Sequence, residues 1–137
     1  MNGLLLWLLT TVIFFIGDAL WLSFVLKPYF IPRIAHLMQV TADGYAVNYV
    51  VAFIAYIILT IGLYWLVVAP CIAASYGAIF FNGALFGFCL YGVYDCTNYA
   101  ILNNWSLLFS SIDVLWGTVW CGMTSAITIF LVNYFKL

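Results

Sequence analysis

The chain has 137 residues, of which 69% are hydrophobic and only 5% are charged. Soluble domains carry about 25% charged residues, so this composition predicts an integral membrane protein surrounded by the lipid bilayer. The formal net charge is −1 with only three Lys or Arg residues, which excludes the basic surface that nucleic-acid binding requires.

Four apolar stretches are long enough to cross a bilayer as helices, for which about 20 residues are needed. The stretches lack the period-two alternation of a barrel. We therefore predict an all-α polytopic membrane protein, a compact four-transmembrane-helix bundle that forms a single membrane domain over residues 1–137. The predicted helices cover about 3–26, 45–68, 75–100 and 107–134. The first stretch has neither a basic start nor a small-residue cleavage site, so no cleavable signal peptide is expected.

The longest connection, residues 28–44, joins the first two predicted helices and holds Arg33 and the only histidine, His36. Its apolar residues recur at helical spacing, which favours a short interfacial segment that could act as a lid. A plain loop is the alternative interpretation. Asp43 precedes Gly44 at a turn before the second helix, where an acid suits the helix dipole, so we predict a structural role for it.

No cofactor and no metal are expected from the sequence. The four cysteines form no CxxC pair and fall mostly in or beside the predicted helices, where small apolar packing residues are needed. The sequence contains no HExxH motif, no Ser/His/Asp set and no phosphate-clamping pair.

Three carboxylates lie inside the predicted helices, at Asp18, Asp95 and Asp113. A charge at the bilayer centre costs at least about 2.5–3.5 kcal/mol on insertion scales, so such residues usually face a protein interior and mark function. Each is eight or nine residues from a polar boundary on the same side of the membrane. At 1.5 Å per residue this is roughly 12–14 Å, which predicts that all three occupy one layer.

The neighbours of these acids are aromatic and polar. Asp18 to Trp21 and Asp113 to Trp116 are the same D-x-L-W tetrapeptide, in which the acid and the indole share one helix face. In the third helix, residues 91, 95 and 98 form a single polar stripe. Glycines near that stripe would allow a neighbouring helix to approach closely; they are Gly83, Gly87 and Gly92.

The predicted ligand- or ion-binding cluster consists of the three acids and their polar or aromatic neighbours. Its members are Asp18, Trp21, Tyr91, Tyr94, Asp95, Thr97, Asn98, Asp113, Trp116 and Trp120. An acidic, aromatic-lined site without fixed cations suits a proton, a metal ion or an organic cation, and is ill suited to phosphate or carboxylate ligands. The alternative is that these side chains only form hydrogen bonds that lock the bundle.

The motifs resemble those of a family of short membrane proteins catalogued as domain of unknown function 2177. The resemblance rests on Y-D-x-T-N at 94–98, a following tryptophan at 105, D-x-x-W-G at 113–117, and D-x-x-W-L at 18–22 followed by a tyrosine at 29. It covers nearly the whole chain and implies a compact four-helix membrane protein, but no activity. The residues it singles out are Asp18, Trp21, Tyr94, Asp95, Thr97, Asn98, Asp113, Trp116 and Gly117.

Three functions remain open at this stage. The first is transport or permeation of a proton or small cation, for which a homo-oligomer would be expected because four helices are few to enclose a pathway. The second is a membrane-embedded enzyme that uses the aspartates as acid and base on a lipid or isoprenoid. The third is an accessory subunit of a larger membrane complex.

Overall fold

The computed structural model describes residues 2–42 and 44–136, without the side chains of residues 40, 41 and 45. Asp43, for which the sequence predicts a structural role, lies outside the described residues. The described chain is almost entirely helical and has four helices long and apolar enough to cross a membrane, which confirms the predicted fold class and a multi-pass membrane location.

The first helix is longer than the sequence suggests. Helix α1 (Gly3–Trp21) continues through a π-helical segment (Leu22–Phe30), α2 (Ile31–Ile34) and a 3₁₀ turn (Ala35–Leu37). The predicted end at residue 26 rested on Pro28, which normally stops an α-helix. Here Pro28 lies inside the wider π-helical turn, which accommodates its ring and its missing N–H.

A short hairpin links this helix to the next one. Strands β1 (Val40–Thr41) and β2 (Gly44–Tyr45) pair in antiparallel fashion. The connection after α1 is therefore helical in its first part and hairpin-like in its second part, rather than a plain loop.

The three remaining spans begin at polar capping residues. They are α3 (Tyr49–Leu63) with a π-helical end (Tyr64–Val68), α4 (Tyr76–Ile101) and α5 (Leu107–Phe135). Asn48, Ser75 and Ser106 each accept a hydrogen bond from a backbone N–H of the first turn that follows. These caps satisfy N–H groups that the helix itself leaves free, which fixes where each span starts.

Helices α4 and α5 pack most closely, and small residues make this possible. A Cβ atom on Gly87 would lie 2.2 Å from the Gly117 carbonyl oxygen, and one on Gly83 would lie 2.7 Å from the Cys121 carbonyl oxygen. The expectation for Gly92 is wrong, because a Cβ atom there meets nothing within 4 Å. Close contact therefore runs along one stripe of α4, and this stripe leads to Asp95.

The apolar core lies in two clusters between the carboxylates and the opposite end of the bundle. Leu6 of α1 belongs to the first cluster, with Val68 and Ile129, and Phe14 belongs to the second. Asp18 comes next along the same helix. Large apolar side chains such as Phe24 remain exposed on the outside, where a bilayer would cover them.

Candidate functional site

The two D-x-L-W tetrapeptides face each other across the α1–α5 contact. The indole rings of Trp21 and Trp116 are stacked, with centroids 4.6 Å apart and planes 4° from parallel. Trp116 Nε1 donates a hydrogen bond of 3.1 Å to Asp18 Oδ1, and Trp21 Nε1 is near the Asp113 carboxyl group. Because the helices are antiparallel, identical tetrapeptides place each acid beside the indole of the other helix.

The two indole–acid contacts, of Trp116 with Asp18 and of Trp21 with Asp113, are not equivalent. Trp21 Nε1 is buried and lies outside hydrogen-bonding geometry, so it has no partner among the described residues. Trp116 also stacks on Trp120, with centroids 5.4 Å apart, and Trp120 Nε1 donates to the Phe14 carbonyl oxygen at 3.0 Å. The three indoles therefore form one continuous stack along the α1–α5 interface.

Asp18 is fully paired by neutral donors. Its Oδ1 accepts from Trp116, and its Oδ2 accepts from the hydroxyl group of Tyr56 on α3. The side chain is only 5% exposed. Asp18 therefore ties three helices together.

Among the acids that the structure describes, Asp95 is the most deeply buried, at 1% exposure. Its Oδ1 accepts a long hydrogen bond of 3.4 Å from Trp105 Nε1, which also donates to Ser110 Oγ at 2.9 Å. Its Oδ2 is buried without a hydrogen-bond partner among the described residues. An unpaired buried acceptor costs roughly 1–3 kcal/mol, so this oxygen calls for a donor.

Two groups near Asp95 can supply that donor: the Ser110 hydroxyl, whose oxygen accepts from Trp105, and the carboxyl group of Asp113 when it carries a proton. The carboxyl groups of Asp95 and Asp113, hereafter the carboxyl pair, lie close enough to interact electrostatically. Ionised carboxylate oxygens only accept hydrogen bonds, so two of them can bond only when one carries a proton. A hydrogen bond within the carboxyl pair would therefore require a shared proton.

Two clefts in the outer surface reach the carboxyl pair from opposite flanks of α4. The α4–α5 cleft has a volume of about 520 Å³ and includes Asp95, whereas the α3–α4 cleft has about 370 Å³ and includes Asp113. Exposed apolar side chains form their rims, including Leu115 in the first cleft and Ile58 in the second. Both clefts would therefore open into the lipid.

The extension of the first helix lies over the start of α5. Phe30 makes edge-to-face contacts with Trp105 and Phe109, with ring centroids 5.7 and 5.0 Å apart. The Arg33 guanidinium carbon lies 4.8 Å from the Phe109 ring centroid, a cation–π contact. His36 is exposed and lies further along the extension.

Of the remaining predicted site residues, some lie near the acids and one does not. Tyr91 packs against Gly117 and lines the α3–α4 cleft, as does Tyr94. Asn98 lies beside Tyr94, one turn from Asp95. Thr97 is exposed and bonds to the backbone of its own helix, so the structure does not bring it to the acids.

Sequence reasoning missed two contributors to the cluster and underused a third. Tyr56 could not be recognised from the spacing of residues. Among the described residues it is the only one of α3 that bonds an acid, so α3 shows no repeated pattern of such residues. Ser110 is three residues before Asp113 and so shares its helix face, a signal that was available. Trp105 was noted in the family motif but not placed among the site residues.

These features define the class: a multi-pass integral membrane protein whose four-helix bundle buries the carboxyl groups of Asp18 and Asp95 and leaves that of Asp113 half-buried. A sequence family described as "Predicted membrane protein (DUF2177)" matches residues 3–130, and the chain belongs to this family, as the motifs indicated. No curated protein and no solved structure gives a significant match to the chain.

Proposed function

We propose that the protein binds a proton within the membrane at the carboxyl pair, and that this binding serves transport or permeation of a proton or small cation. The observation that carries the proposal is the unpartnered Oδ2 of Asp95 beside the carboxyl group of Asp113. A shared proton satisfies this oxygen and removes one buried charge at the same time.

The surroundings favour a proton over a metal ion or an anion. Among the described residues, no three His, Cys, Asp or Glu side chains converge to hold a metal. The donors that bond the acids are neutral indole and phenol groups. The Lys and Arg residues occupy positions 27, 33 and 136, and the described contacts of Arg33 are with the Phe109 ring and the Tyr29 carbonyl oxygen rather than with an acid.

The position of the carboxyl pair constrains any transport cycle. The two apolar clusters lie between the carboxyl layer and the opposite end of the bundle. A proton would exchange with water on the side of the α1 extension, and passage to the other side would require movement or a second copy. A homo-oligomer and a lid role for the segment with Arg33 and His36 are parts of this proposal.

The test is a flux measurement with the purified protein in proteoliposomes under a pH gradient. We expect Asp95→Asn to abolish the pH-dependent flux, because it removes one member of the carboxyl pair. Asp43→Asn is the matched control, since it makes the same chemical change in the connection between the first two spans. Flux that survives Asn at positions 18, 95 and 113 together would contradict the proposal.

A second candidate is a membrane-embedded enzyme that acts on a lipid or isoprenoid. One observation favours it: each cleft is mainly apolar, open to the outside and lined by one acid of the carboxyl pair. An acid of the carboxyl pair could then protonate a double bond, with the stacked indoles stabilising positive charge. Lipidomics of a deletion strain decides between the candidates, because a missing lipid species favours the enzyme and an unchanged profile opposes it.

A further inference from the structure

The α4–α5 cleft has the size and the lining of a ligand site. Its volume of about 520 Å³ falls within the range of pockets that hold drug-sized molecules, about 300–1,000 Å³. Two aromatic side chains, Phe88 and Tyr99, and the apolar Leu107 and Leu115 line it, and each is more than half exposed at the surface. A ligand could therefore enter sideways from the bilayer.

One deeply buried polar group in this lining lacks a partner. Asp95 is 1% exposed, and its Oδ2 has no donor among the described residues. A ligand that takes the place of the shared proton must therefore bring a hydrogen-bond donor to Asp95.

The charge around Asp95 selects the kind of donor. The cleft is lined by one carboxyl group, four hydroxyl groups and no Lys or Arg, so a phosphate or carboxylate would meet no cation to neutralise its charge. An ammonium group offers both a donor and the missing positive charge, and aromatic rings at the cleft favour a cation further. A phospholipid amine is a poorer fit, because its phosphate would have to be buried without a cation.

We propose that the α4–α5 cleft binds a lipophilic primary ammonium compound from the bilayer, with the ammonium on Asp95 and the apolar tail between α4 and α5. The inference rests on the proposed function in one respect. The ammonium and the shared proton compete for the same carboxyl group, so binding of one releases the other. The site would thus exchange a proton for an organic cation.

The test uses a twelve-carbon primary ammonium with a photoreactive diazirine at the end of its tail. The full chain is reconstituted in phosphatidylcholine nanodiscs, labelled by light and analysed by peptide mapping. We expect saturable labelling of α4 and α5 residues that line the cleft. Unlabelled dodecylammonium should compete at least tenfold better than dodecanol, which lacks the charge, or dodecyltrimethylammonium, which lacks the donor.

Three variants distinguish binding of the ammonium compound in the α4–α5 cleft from its partition into the bilayer. Asp95→Asn should lower saturable labelling at least tenfold. Ser111→Trp should do the same, because position 111 lines the cleft and a large side chain there fills it without changing the acid. Val93→Trp is the control, since Val93 is exposed on α4 and lines none of the clefts described above; it should leave labelling unchanged.

Labelling that does not saturate, or that is equal in Asp95→Asn and Ser111→Trp, would overturn the inference. Equal competition by dodecanol would also overturn it, because the ligand would then be an alcohol. The infrared signal of a protonated carboxylic acid, measured on the same nanodiscs, separates the two proposals. If that signal is present and labelling fails, only the ammonium site is wrong; if it is absent while labelling is saturable and Asp95-dependent, only proton sharing is wrong.

Discussion

The close contact between α4 and α5 can be tested by a substitution at Gly87. In Gly87→Ala the new methyl group would lie 2.2 Å from the Gly117 carbonyl oxygen, and contacts of this kind are essentially never shorter than 3.0 Å. Because the obstacle is backbone, no side-chain rotation relieves it, and the helices must part by roughly 1 Å. Overpacking of this kind costs about 1–3 kcal/mol.

The matched control is Gly92→Ala, five residues further along the same helix, where a Cβ atom meets nothing within 4 Å. Both substitutions gain about 1 kcal/mol of helix propensity, so the difference between them isolates the clash. We expect the free energy of unfolding of Gly87→Ala to fall about 1–3 kcal/mol below that of Gly92→Ala, measured by SDS titration in mixed micelles. Equal values for the two variants would refute the close α4–α5 contact.

Three further predictions concern the hydrogen bonds of the acids, each measured by the same unfolding titration. Tyr56→Phe removes a donor from Asp18 and should cost about 1–3 kcal/mol, and a loss below 0.5 kcal/mol would argue against this bond. Trp116→Phe loses a hydrogen bond while Trp21→Phe loses none, so the first should be less stable than the second by roughly 1 kcal/mol, and the reverse order would contradict the asymmetry. The shared proton stabilises the fold only while it is bound, so the free energy of unfolding should fall as the pH rises and the proton is lost. A variant with Asn in the carboxyl pair should show a weaker dependence of this free energy on pH. An equally weak dependence in the wild-type protein would contradict proton sharing.

The sequence was most informative where membrane physics restricts the choice of residues. Charged residues are so costly in a bilayer that three acids in apolar stretches were recognisable at once. Counting residues from the helix ends placed them at one depth, because the rise per residue of a helix is constant. The repeated D-x-L-W tetrapeptide also indicated a symmetric role, although only the antiparallel packing shows that each indole lies beside the acid of the other helix and that Trp116 alone bonds it.

The rotation of each helix about its own axis and its local distortions could not be predicted from the sequence. Tyr56 contacts Asp18 because of the rotation of α3 about its axis, which depends on the packing of the whole bundle. The π-helical segment around Pro28 depends on the same packing, so a rule that ends helices at proline placed the first boundary too early. Thr97 follows Asp95 by two positions in the motif. Residues two positions apart lie on different faces of a helix, so closeness in the motif does not bring Thr97 to the acids.

The proton that we propose Asp95 and Asp113 to share inside the bundle can be detected directly. Infrared difference spectroscopy of the reconstituted protein, recorded during a pH jump in water and in heavy water, detects the carbonyl band of a protonated carboxylic acid directly. We predict one isotope-sensitive band that disappears in both Asp95→Asn and Asp113→Asn and persists in Asp43→Asn. A spectrum without such a band at any pH, or a band that survives both substitutions in the carboxyl pair, would show that Asp95 and Asp113 do not share a proton.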